Sequence, residues 1–185
     1  MASQALLFPG QGSHAADMDA AWRGSPIFER GLEVLGYDPF ADLDLGTRVQ
    51  QPAIFLVCAC ALEAHDDWRD AIAAAGHSLG EYAALHAAGA LEFEDALRVV
   101  DERAAAMQDA AEAQAGGMVA MLGGDSHAVA ELARELGLVV ANDNAPGQVV
   151  LSGPIEGVEA AAEAARADAG ARAMKLGVAG AFHSP

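Results

Sequence analysis

The chain has 185 residues, enough for one domain or for one domain carrying a smaller insert. Ten basic against 27 acidic side chains give a formal charge of −17, which argues against a phosphate-binding nucleic-acid surface and against docking on an anionic membrane. At 53% hydrophobic and 20% charged the chain is not disordered, although 45 of its residues are Ala. The bases are nine Arg and one Lys, so an arginine at any site carries information.

In chain order, residues 5–8 form a short apolar run that ends in Pro9-Gly10-Gln11-Gly12-Ser13, a buried strand leaving into a tight glycine loop. Ser25-Pro26 places a cap before a proline at the first helical position and predicts a helix over 26–35. Gln51-Pro52 repeats the signal and predicts a second helix over about 51–68. Its apolar run holds Cys58 and Cys60, which read as small core residues rather than a metal pair, and it is too short to span a bilayer. Two cysteines make no disulfide framework, and no cationic segment precedes the first apolar stretch, so no signal peptide is read and the cytoplasm is the expected compartment. Residues 71–75 are expected as a strand in spite of their Ala content. Helices are expected over 79–88 and 93–113, the latter with Glu94 and Asp95 in its first turn.

After Gly116-Gly117 the pattern changes. Strands are expected over 118–122, 139–142, 149–152 and 171–176. Helices are expected from the Asp125 cap to about 136 and over 155–169, with a turn-rich loop over 142–147. The order β-α-β-β-α-β is that of a ferredoxin-like unit. The chain thus reads as an α/β protein: a large domain over 1–115, a ferredoxin-like subdomain over 116–177, and a return to the large domain over 178–185.

Gly76-His77-Ser78-Leu79-Gly80 fits the nucleophile elbow G-x-S-x-G, which exposes a serine hydroxyl on a sharp strand-to-helix turn. Ser78 is the candidate nucleophile, and the backbone N–H of Leu79 the candidate donor to an oxyanion. The glycine loop around Gln11 can supply a second donor, and reads equally well as a plain turn. Of six histidines, His65, His86 and His127 fall on predicted helices. His77 adjoins the nucleophile, where its side chain should point away from the Ser78 hydroxyl. His183 lies late in the chain in a Gly/Ala/Ser/Pro loop, where an elbow serine usually finds its base. No acid stands out as a third member, and a backbone carbonyl can orient the imidazole instead. Arg103, on a helix after the elbow, reads either as a surface ion pair or as a guanidinium fork for a substrate carboxylate.

Taken together, Leu7-Phe-Pro-Gly-Gln-Gly-Ser13, Gln50-Gln-Pro-Ala53, Gly76-His-Ser-Leu-Gly-Glu-Tyr-Ala-Ala-Leu85, Arg103 with Met107-Gln108, Gly116-Gly-Met118, Asn144-Ala-Pro-Gly-Gln-Val-Val150 and Gly180-Ala-Phe-His-Ser-Pro185 resemble the malonyl-coenzyme A:acyl carrier protein transacylases. The resemblance runs from end to end of the chain and matches the N-terminal part of that family, the chain stopping two residues after the histidine. It implies an α/β-hydrolase-like domain with an inserted ferredoxin-like subdomain. It also implies Ser78 as acyl acceptor, His183 as base, Gln11 and Leu79 as oxyanion hole, Arg103 on the malonyl carboxylate, and Phe182 as a barrier to an α-methyl group. His14 departs from the family, which usually has Gln there. The implied partners are malonyl-coenzyme A, acyl carrier protein and a C-terminal complement of the same enzyme, with no metal or other cofactor. A serine hydrolase or thioesterase on the same elbow is the rival reading, and an inactive fragment awaiting its complement is another. The fatty-acid and polyketide pathways are not distinguished. An acidic carrier protein meeting a chain of charge −17 needs a local basic patch, for which Arg172 and Lys175 are the first candidates.

Overall fold

The computed structural model describes residues 4–185, which fall into two compact units divided between residues 106 and 107, inside a helix. The first unit opens with β1 (Ala5–Phe8), followed by α1 (Pro26–Leu35) and α2 (Thr47–Glu63), then β2 (Ala73–Gly76), α3 (Gly80–Ala87) and the start of α4 (Phe93–Ala113). β1 and β2 pair in parallel, from Ala5 opposite Ala73 to Phe8 opposite Gly76. A parallel pair needs a long crossover, and residues 9–72, carrying α1 and α2, supply it.

The elements form where local chemistry directs. α1 starts at Pro26, whose fixed φ suits the first turn, and ends at Gly36 in the left-handed conformation. Ser25 holds the cap position without a side-chain bond to the helix; Glu29 instead accepts from the Gly24 N–H at 3.0 Å. α2 corrects the sequence expectation. It begins at Thr47, so Pro52 lies inside the helix and not at its first position. The Pro52 ring withholds one N–H from the Arg48 carbonyl, a tolerable loss near the start of a helix buried along most of its length. α2 also ends at Glu63, and Trp68 falls in a separate 3₁₀ turn, Asp66–Asp70.

The core of the first unit joins Ile54, Phe55 and Ala59 of α2 to Leu79, Ala83, Leu97 and Val100. A second cluster packs Phe28 of α1 on Leu56 and Cys60. Each large apolar side chain removed from water here is worth about 1.5–3 kcal/mol. Burial pushes the thiols of Cys58 and Cys60 up to about 11, so both are packing groups rather than nucleophiles.

The second unit follows the predicted β-α-β-β-α-β order. Its elements are β3 (Gly116–Leu122), α5 (Ser126–Glu135), β4 (Val139–Ala145), β5 (Gln148–Pro154), α6 (Ile155–Ala169) and β6 (Arg172–Lys175). The four strands form one antiparallel sheet ordered β4-β5-β3-β6, the ferredoxin-like arrangement. Asp125 caps α5, its carboxylate accepting from the Ala128 N–H at 2.9 Å. The turn between β4 and β5 is shorter than the sequence indicated, because Asn142 and Asp143 pair with Val150 and Val149 along an irregular edge. One face of the sheet packs Met121, Val119 and Leu151 under α5 and α6. Residues 176–182 cover Met118, Ala120 and Val150 on the other face. Among the described residues no helix is long and apolar enough to cross a membrane.

Candidate active site

The elbow forms at the end of β2. Ser78 has φ +52°, a left-handed conformation that a residue with a side chain rarely adopts and that costs roughly 1–3 kcal/mol. The turn is closed by Gly80 N–H to His77 C=O at 3.0 Å and Glu81 N–H to Ser78 C=O at 3.2 Å. Its two glycines are sterically required. A Cβ on Gly76 would lie 1.9 Å from the Gly80 carbonyl carbon, and one on Gly80 would lie 2.3 Å from the Phe8 carbonyl oxygen. The turn is therefore pressed against its own helix and against the end of β1, and the Ser78 side chain is presented at the N-terminus of α3.

The parallel register aligns two loops. Phe8 pairs with Gly76, and Gln11 and Leu79 each lie three residues further on. The His77 N–H donates to the Phe8 carbonyl at 3.0 Å, which holds the loops side by side. Among the described residues neither the Gln11 nor the Leu79 backbone N–H donates a hydrogen bond to another residue. The Gln11 side chain is anchored elsewhere: its Nε2 donates to Thr47 Oγ1 and to Gln50 Oε1, both at 3.0 Å. That anchoring fixes the loop on the first turn of α2 while its backbone stays beside the elbow.

Arg103 completes the cluster from α4. Its Nη2 donates to Ser78 Oγ at 2.9 Å, and its Nη1 donates to Gln51 Oε1. The guanidinium also lies 5.7 Å from the centre of the Tyr82 ring. Gln51 is fully buried, and its Nε2 reaches toward Gln11 Oε1 at 3.5 Å. Of the two readings open for Arg103, the ion pair on a helix surface is the one the structure does not build. The guanidinium is turned inward onto the serine, and its hydrogen-bond partners are neutral.

Gln51 and Tyr82 touch Arg103 beside the serine, and sequence reasoning did not single them out. The available signal for Gln51 was a glutamine at a core position of an otherwise apolar helix, a group that must find partners when buried.

Phe182 and His183 belong to the second unit. Phe182 packs against the cluster of Met118, Ala120 and Val150. His183 has φ +58° and an exposed side chain, and the turn is braced by the Ser184 hydroxyl donating to the Ala181 carbonyl at 2.6 Å. Ser78 and His183 are the two non-glycine residues with positive φ among those described. Backbone strain concentrates at functional positions, and both candidates for the proton-transfer pair carry it. The three histidines expected on helices are placed as packing or surface groups. His86 Nδ1 lies 3.1 Å from the Leu91 carbonyl oxygen, and His65 and His127 are exposed. Among the described residues no group of His, Cys, Asp and Glu is assembled as a metal site.

A strained serine on the turn between a parallel strand and a helix, beside the loop that follows the neighbouring strand, defines an α/β-hydrolase-like protein, here carrying a ferredoxin-like subdomain. Within that class the chain belongs to the acyl transferase domain family, whose family model matches residues 32–185. It is 40% identical to the malonyl CoA-acyl carrier protein transacylase of Bacillus subtilis, over 100% of this chain and 64% of the relative. It superposes with TM-score 0.88 and 32% identity on the malonyl CoA-acyl carrier protein transacylase of Coxiella burnetii, over 99% of this chain and 64% of that one. A further match, with TM-score 0.83 and 33% identity, is to a malonyl-transacylase solved in complex with its type II polyketide-synthase acyl-carrier protein; it covers 97% of this chain and 64% of that one. The chain thus spans somewhat less than two thirds of the length of these transacylases.

Proposed function

We propose that this chain carries the acyl-serine centre of an acyltransferase that moves a malonyl group from malonyl-coenzyme A to the phosphopantetheine thiol of acyl carrier protein. The observation that supports this most strongly is the guanidinium of Arg103 one hydrogen bond from Ser78 Oγ. In a malonyl thioester the carboxylate carbon is only about 2.5 Å from the thioester carbonyl carbon, two C–C bonds away. A carboxylate held at Arg103 therefore brings that carbonyl to the serine. A hydrolase acting on simple esters has no use for an arginine hydrogen-bonded to its nucleophile.

In this reading Ser78 Oγ attacks the thioester carbon as its proton passes to His183. The N–H groups of Gln11 and Leu79 hold the oxyanion, and the C–S bond breaks as His183 returns the proton to the coenzyme A thiolate. The carrier thiol then gives its proton to His183 and attacks the malonyl-serine ester, and the C–O bond breaks as His183 returns that proton to Ser78 Oγ. Phe182 narrows the space for an α-methyl substituent. The reaction needs no metal or other cofactor, and the cytoplasm is its expected setting. The family's large domain then takes 1–115 and 178–185 and the subdomain 116–177. These limits differ from the compact units because Ala111 of α4 packs on Gly180, and Ala181 on Gly116. For carrier-protein docking Arg172 and Lys175 remain the candidates, Lys175 already facing Glu159 at 3.4 Å.

The test is Arg103→Ala in the full-length protein, assayed with malonyl and acetyl thioesters. Losing a charge-assisted contact costs roughly 1.5–3 kcal/mol, so malonyl transfer should fall about 10- to 150-fold while acetyl transfer is kept or gained. Equal loss on both substrates would assign Arg103 a structural part only. Lys is not expected to rescue, since an ammonium lacks the planar fork.

A further inference from the structure

An arginine on a long flexible stem selects a carboxylate only if its direction is fixed before the substrate arrives. Arg103 leaves α4, whereas the group that holds its Nη1, Gln51, belongs to α2. The distance between the first turns of α2 and the middle of α4 therefore sets where the guanidinium lies.

A second polar bridge joins the same two helices close by. Arg48 is three residues, about one turn, before Gln51; Asp101 is two residues before Arg103. Arg48 Nη1 donates to Asp101 Oδ1 and also to the Asp101 backbone carbonyl at 3.1 Å. The Tyr37 hydroxyl, from the segment after α1, donates to the same Oδ1 at 2.6 Å. The Arg48 guanidinium lies 5.7 Å from the centre of the Tyr37 ring. The bond to the carbonyl ties Arg48 to the backbone of α4 and not only to a mobile side chain. The ion pairs of Arg98 with Glu94 and Asp95 stay within α4 and fix nothing between elements. Burial first, then the bond to Asp101, pushes the Tyr37 phenol above its ordinary range, so the hydroxyl stays a donor.

We propose that Arg48, Asp101 and Tyr37 are positioning residues: they lock α2 to α4 next to the Gln51–Arg103 bond and so set the acyl selectivity of the site. The inference rests on the reading of Arg103 as the carboxylate ligand.

The test uses the full-length protein and the ratio of kcat/KM for malonyl and acetyl thioesters. Arg48→Met and Asp101→Asn should each lower that ratio about 2- to 30-fold, the range expected for coupling through a neighbouring contact, chiefly by raising KM for malonyl. Arg48→Met added to Arg103→Ala should change the ratio no further, because the group being positioned is gone. Tyr37→Phe removes one hydrogen bond with little change in packing and should give a smaller loss of the same kind, which keeps the test open if Arg48→Met folds poorly. A lowered Tm with the ratio unchanged in all three single variants, while Arg103→Ala does change it, overturns the positioning role and leaves the carboxylate reading standing. An unchanged ratio in Arg103→Ala itself overturns both.

Discussion

In the second unit four antiparallel strands are covered on both faces, by α5 and α6 on one side and by residues 176–182 on the other. In the first unit two parallel strands carry the nucleophile, and Leu7 of β1 is 80% exposed, with Ile72 beside β2 at 74%. Parallel strands are usually buried on both faces, so the difference is physical as well as topological. It separates two sources of order. The four-stranded sheet is held by its core. The elbow is held by backbone contacts at one end of a short sheet, where Gly76 and Gly80 let the turn, α3 and the end of β1 touch.

Substitutions break that comparison from either side. Gly76→Ala drives a Cβ into the Gly80 backbone, which cannot move without opening the elbow. It should cost about 3 kcal/mol or more and abolish acylation. Hydrogen exchange should show protection lost at β1 and β2 but retained at β3 and β5; equal loss in both sheets would mean that the two depend on one core. Leu151→Ala removes a fully buried side chain beneath α5 and α6 and should cost about 2–5 kcal/mol, with exchange rising first in β3, β5 and α6. Leu7→Thr changes only an exposed group on the open face and should shift the denaturation midpoint by no more than about 0.5 kcal/mol of stability. A large destabilisation there would show that the face is covered in the protein as it occurs.

Much of the second unit was legible in the sequence because its signals are local. Asp125 caps a helix, Gly170 ends one in the left-handed conformation, and short apolar runs such as Val149-Val150-Leu151 mark the strands. The exception was β4, where the strand was expected to end at Asn142 and residues 143–145 read as loop; an edge strand tolerates them since, among the described residues, one side of its ladder faces no neighbour. In the first unit Pro26–Leu35 and Phe93–Ala113 were readable to the residue, but Pro52 misled. A proline marks a first helical turn only when nothing upstream begins the helix earlier, and Gly46 with Thr47 does so. The serine, its glycines and the adjoining loop were legible from the motif. The Gln51–Arg103 bond was not: it joins residues 52 apart in sequence, and nothing in local pattern tells a buried glutamine from a solvated one. That Arg103 turns toward Ser78 and not toward an acidic neighbour is likewise a matter of side-chain direction, visible only once α2 and α4 are in place.

The central claim is that Ser78 takes the acyl group, and intact mass spectrometry of the full-length protein incubated with malonyl-coenzyme A tests it most directly. The account predicts a single malonyl adduct on the wild-type protein that maps to the peptide containing Ser78 and is absent from Ser78→Ala. An adduct that persists in Ser78→Ala, or that maps to another residue, would contradict it.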